Sequence, residues 1–159
     1  MEGLWELSLE ERRDKTPSFR DALLERALSA LKAAQAKFAG VTTLGFCMGV
    51  SRSLKCAARN RSLRSAVSFY GQSPSAEDVV RISVPVLDIH AFQDELINKG
   101  VPAFVGAMLE GGKDLMLKTY PGTKHGFFND TRREVYDRDA ANEAWDLTRW
   151  FLEKTLGRH

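Results

Sequence analysis

Residues 41–49 read Val41-Thr42-Thr43-Leu44-Gly45-Phe46-Cys47-Met48-Gly49, and this stretch decides the fold. Val41–Leu44 is short, β-branched and apolar, which predicts a buried strand. A helix is expected to follow from about Met48 to Ala58. Between them, Gly-x-Cys-x-Gly is the nucleophile-elbow pattern with cysteine in the serine position. So tight a strand-to-helix turn strains the nucleophile. Side chains two residues before and two after it are expected to collide, which accounts for Gly45 and Gly49. The corner lifts the sulfur out of the sheet and sets it over a helix N-terminus, where the dipole and free N–H groups favour a thiolate. The backbone N–H of Met48 then points to where an oxyanion would form. The plainer reading of the same residues is a buried cysteine in a glycine-rich turn. Cys56 lies among Leu54, Ala57 and Ala58 and reads as a small core residue.

On the N-terminal side, Thr16-Pro17 has the look of a helix start, with Pro17 at the first helical position. From there Phe19, Leu23, Leu24, Ala27, Leu28, Leu31 and Ala34 recur at helical spacing, and Gly40 ends the segment. Residues 1–16 are polar and charged around Leu4, Trp5 and Leu7 and are expected to drape over the body. On the C-terminal side, further strands are predicted at Ala66–Tyr70, Val84–Ile89 and Leu115–Tyr120. Helices are predicted near Ala76–Val80, over Val101–Leu109 and over Tyr136–Leu156. The last is amphipathic, with Ala140, Ala144, Leu147, Phe151 and Trp145 on its apolar face. Strands alternating with helices predict an α/β fold: three layers, a parallel sheet of about four strands and helices on both faces. The 159 residues suit a single domain, 1–159.

Two further residues fall where such a sheet places its chemistry, in loops after strands. His125 follows the Leu115–Tyr120 strand, and Gly126 gives the backbone room beside it. Asp94 follows the Val84–Ile89 strand. The order Cys47, Asp94, His125 is that of nucleophile, acid and base in hydrolases of this topology. The aspartate would fix the histidine tautomer and stabilise the imidazolium. Taken singly, a loop histidine is ordinarily a surface residue and a loop aspartate a cap or turn former. Glu95 competes with Asp94 for the acid; Asp88 is set aside because it lies inside the strand. His90 reads as a strand-end residue, and His159 is terminal and uninformative.

Composition bounds the rest. The apolar fraction is 43% and the charged fraction 28%, as in ordinary globular proteins. A net charge of +2 is too small to point to nucleic acid or a membrane surface. No apolar run approaches the ~20 residues of a membrane span, and Met1–Arg12 has no signal-peptide core, so the cytoplasm is expected. Cys47 and Cys56 are the only cysteines, nine residues apart, which fits neither a disulfide framework nor a common zinc pattern. No metal is expected. The basic run Arg52, Lys55, Arg59, Arg61 and Arg64 reads as a solvated helix face or, alternatively, as a binding site for an anionic substrate.

Several segments together resemble the dienelactone hydrolase family of α/β-hydrolases, over roughly residues 20–155. They are Gly45–Gly49, Ala66–Gly71, Pro85–Leu87 with Asp94 behind it, Ile97–Ala103, Tyr120–Phe127, Asn129–Thr131, Tyr136-Asp137 and Ala144-Trp145. The resemblance implies hydrolysis of lactones and activated small esters by a Cys47–His125–Asp94 triad through a thioester. It implies no metal and no organic cofactor. The partner expected is a small-molecule ester or lactone.

The chain also departs from that pattern. Only 46 residues precede Cys47, whereas the family places several strands and helices there. No counterpart is found for the early loop that supplies a second oxyanion donor, nor for the family's glutamate beside the cysteine. Val50 replaces a common glycine, Leu96 a common arginine, and Asn129 a carboxylate-binding arginine. One edge of the elbow strand would be bare. Met1–Leu9, or a second copy of the chain in a homo-oligomer, is expected to cover it. Two alternatives to a working thiol esterase follow: a catalytically silent relative kept as a binding or assembly partner, and a redox thiol at Cys47.

Overall fold

A computed structural model describes the backbone of residues 9–157 and the side chains of residues 21–49 and 52–157. The chain runs α1 (Leu9–Gln35), β1 (Thr42–Phe46), α2 (Met48–Arg59), β2 (Ser65–Phe69), α3 (Ala76–Arg81), β3 (Val86–Ala91), α4 (Glu95–Asn98), α5 (Val101–Glu110), β4 (Leu115–Tyr120) and α6 (Arg138–Leu156). The four strands pair in parallel in the order β1-β2-β3-β4. Every residue of β2 and β3 is buried. Burial along the whole of both strands is what a parallel sheet covered on both faces requires, and the polar residues Ser68, Asp88 and His90 among them hydrogen-bond to one another.

Alternation along the strands sorts the core into two layers. Ala66 and Val86 join Leu24, Leu54, Ala57, Val79, Phe104 and Met108 on the face carrying α1, α2, α3 and α5. Val67, Leu87 and Ile89 face the other way, onto Ala140, Ala144 and Phe151 of α6. Full burial of such side chains contributes about 1.5–3 kcal/mol each. The Lys118–Glu143 pair at 2.9 Å ties α6 to β4 at the surface.

Two expectations are corrected, and one helix is added. α1 begins at Leu9, not at Pro17, so Pro17 lies inside it. Leu9–Lys15 is built of Leu, Glu, Arg and Lys apart from Asp14, and these good helix formers sustain a helix past the one backbone N–H that proline lacks. Residues 9–16, expected to drape over the body, are helical, and residues 1–8, with the proposed edge cover, lie outside the described residues. Trp145 is not on the buried face of α6, being 43% exposed. Ala140, Ala144, Thr148 and Phe151 define that face, and Trp145 lies one step, about 100°, round the helix from it. Finally, α4 was not expected; the Asp94 carboxylate, accepting from the Ile97 N–H, starts it.

Candidate active site

The Cys47 corner is held from below. The Cys47 N–H donates to the Phe69 carbonyl at 3.0 Å, pinning the turn to β2. Thr43 Oγ1 donates to the Ser53 carbonyl, and Ser53 Oγ donates to the Val67 carbonyl at 3.1 Å, fastening α2 to β1 and β2. Cys47 itself has φ 53°, a left-handed conformation unusual for a side-chain-bearing residue. It caps α2, and its thiol is exposed. Met48 contributes the first N–H of the helix, one of those left without an intrahelical acceptor. The reason given for Gly49 does not hold. Outside the helix's own backbone, a Cβ there would meet nothing within 4 Å among the described residues. Gly45, inside β1, is buried.

The loops after β3 and β4 are joined through their backbones. The Phe92 N–H donates to the Tyr120 carbonyl, and the Gln93 N–H donates to the Thr123 carbonyl at 2.9 Å. Thr123, buried, donates its hydroxyl to the Tyr120 carbonyl at 2.7 Å. Gly126 has φ 87°, which only glycine adopts freely, and this lets the chain reverse just after His125.

These restraints bring the three predicted residues together. His125 Nδ1 lies 2.5 Å from Asp94 Oδ2, and His125 Nε2 lies 3.1 Å from Cys47 Sγ. Asp94 is 7% exposed, so its carboxylate is shielded while the imidazole and thiol reach solvent. They open onto a cavity of about 410 Å³, bounded by α1, α2, the 71–75 loop and Ile97. Glu95, the competing acid, is exposed in the first turn of α4.

The basic run divides. Arg52 and Lys55 line the cavity, and Arg52 Nη1 donates to the Met48 carbonyl at 2.8 Å. Arg59 instead pairs with Glu25 at the surface. Arg64 reaches the Ala39 carbonyl, and Arg61 is exposed. Asp88 and His90 form a second buried pair inside β3: His90 Nε2 lies 2.7 Å from Asp88 Oδ2, and Ser68 Oγ donates to Asp88 Oδ1 at 2.5 Å. Among the described residues no group of three or more His, Cys, Asp or Glu is placed to hold a metal ion, and no helix is long and apolar enough to cross a membrane.

Sequence reasoning overlooked Tyr70. It follows β2 with φ 41°, is buried, and sets its ring 5.2 Å from that of His125. The one signal was Tyr-Gly closing a buried strand beside the elbow.

A parallel sheet with a strand–turn–helix thiol at one strand end and an imidazole–carboxylate pair at two others defines an α/β-hydrolase-like protein. The chain belongs to the dienelactone hydrolase family: the model of the Dienelactone hydrolase family matches residues 7–156. It is 36% identical over 115 residues to a "Putative carboxymethylenebutenolidase" of Saccharolobus solfataricus, covering 72% of this chain and 44% of that protein. It is 35% identical over 153 residues to the protein usf of Aquifex pyrophilus, covering 92% of this chain and 64% of that one. The chain therefore spans about half to two thirds of the length of these relatives. In fold it is similar to a dienelactone hydrolase-like promiscuous phosphotriesterase from metagenomic libraries, with a TM-score of 0.78 and 22% identity, over 94% of this chain and 66% of that one.

Proposed function

We propose that this chain hydrolyses lactones or small carboxylic esters with Cys47 as nucleophile, His125 as base and Asp94 as the group that orients it. The observation that carries this reading is the unbroken sulfur–imidazole–carboxylate chain, at 3.1 Å and 2.5 Å, opening on the cavity. Cys47 Sγ attacks the ester carbonyl while His125 Nε2 takes the thiol proton. The charge that develops on the carbonyl oxygen is met by the Met48 N–H. Collapse breaks the C–O bond, His125 returns the proton to the leaving alkoxide, and a thioester remains. With a lactone, the new hydroxyl stays tethered to that acyl group. His125 then removes a proton from water, which attacks the thioester and releases the acid and the thiol. Asp94 keeps Nδ1 protonated throughout and stabilises the imidazolium. Arg52 and Lys55 set positive charge on one wall of the site.

The test is hydrolysis of p-nitrophenyl acetate, with iodoacetamide labelling of Cys47 followed across pH by mass spectrometry. Turnover lost in Cys47→Ala is expected, with labelling half-complete well below about pH 8.5, the value of a free thiol. A second reading is a silent relative that serves as a binding partner. It predicts no turnover and labelling centred near the free-thiol value.

A further inference from the structure

Among the described residues only Cys47 and Tyr70 combine a side chain with a positive φ, 53° and 41°. They are lateral neighbours, each one step past the paired residues Phe46 and Phe69 at the ends of β1 and β2. The bend at Cys47 is explained by the corner it makes. The bend at Tyr70 is not: Gly71 is the next residue, and a glycine at 70 would take the same conformation without strain. Such a backbone persists only where its surroundings over-determine it, and it marks functional sites. Here the Tyr70 N–H donates to the Ile89 carbonyl, so the chain is anchored just where it bends. The bend places the ring edge-on to His125, with centroids 5.2 Å apart and planes at 66°. Phe127 closes on the same ring at 5.5 Å and 66°, leaving Tyr70 3% exposed.

The imidazole needs this contact. Hydrogen bonds to Asp94 and Cys47 fix the two ring nitrogens along one line. The imidazole otherwise turns about χ1 and χ2, and the Tyr70 ring packed edge-on against it restricts both torsions. We propose that Tyr70 is a positioning residue whose ring sets the plane of His125 and so keeps Nε2 aimed at Cys47 Sγ. Burial, and then the nearby Cys47, push the phenol up to about 12, so the hydroxyl stays protonated and is not a base; Tyr70→Phe isolates the part played by the ring.

This inference rests on the reading of His125 as the base for Cys47, and one experiment separates the two. Tyr70→Leu and Tyr70→Met are compared with Tyr70→Phe, each checked for folding by circular dichroism. The readouts are the pH midpoint of Cys47 alkylation and the separate kcat and KM for p-nitrophenyl acetate. Both aliphatic variants are expected to move the midpoint upward by about one unit and to lower kcat roughly 10- to 100-fold with little change in KM, as a misaimed base does. Tyr70→Phe is expected to rescue both readouts to within about threefold. An aliphatic midpoint superposable on the wild type's, or a phenylalanine variant as impaired as the aliphatic ones, overturns the role given to the ring. A wild-type midpoint at the free-thiol value without turnover overturns the parent reading instead, and this inference with it.

Discussion

At the scale of the residue, the two cysteines have opposite fates. Cys47 is exposed beside an imidazole, whereas Cys56 is 1% exposed and its thiol is pushed up to about 11, chiefly by burial, with Arg59 opposing. The folded state therefore holds the Cys56 proton more tightly than the unfolded chain does. Stability is full below the ordinary thiol range and is lost as pH rises from there towards about 11. Urea unfolding across that window is expected to show falling stability in the wild type and a flatter profile in Cys56→Ala. At the site, Asp94→Asn keeps the shape but loses the anion facing Nδ1. A kcat loss of about 10²–10⁴-fold is expected, with KM little changed, by steady-state kinetics on a small ester.

At the scale of the element, what the sequence made legible follows from length and period. β2 and β3 announce themselves because short, largely apolar segments rich in Val, Ile and Phe and bounded by turn residues have few other uses. The elbow was readable because two glycines around a cysteine sit between strand and helix signals. α4 was not, because four residues carry no periodicity and the helix owes its start to the Asp94 carboxylate. Tyr70 was missed for a related reason: nothing in a tyrosine at a strand end reveals its φ. Trp145 reads as part of the apolar face of α6, although the helical period carries it one step off the buried residues. That face is what holds α6 to the sheet. Phe151, 5% exposed and packed in the cluster with Val67, Leu87 and Ile89, is its largest anchor. Phe151→Ala is expected to cost about 3–5 kcal/mol, read as a shift in the urea midpoint.

At the scale of the whole molecule, the sheet ends on β1 among the described residues, with one row of backbone groups unpaired. Leu44 of that strand is 38% exposed, and Phe46 is only half-buried. An apolar strand with a free edge is a template for pairing. We expect sedimentation velocity to show concentration-dependent self-association, and Leu44→Lys to return the chain to monomer. A wild-type monomer at every concentration would count against it.

The backbone bonds from Phe92 and Gln93 to Tyr120 and Thr123 have a mechanical corollary. Carboxylate and imidazole ride on one stiff body, while the sulfur rides on the β1–α2 corner. The 3.1 Å gap between thiol and ring is the one triad distance that spans the two. Pressure or cooling should alter that gap before it disturbs the Asp94–His125 spacing, so the thiol's reactivity is the first property of the site to drift.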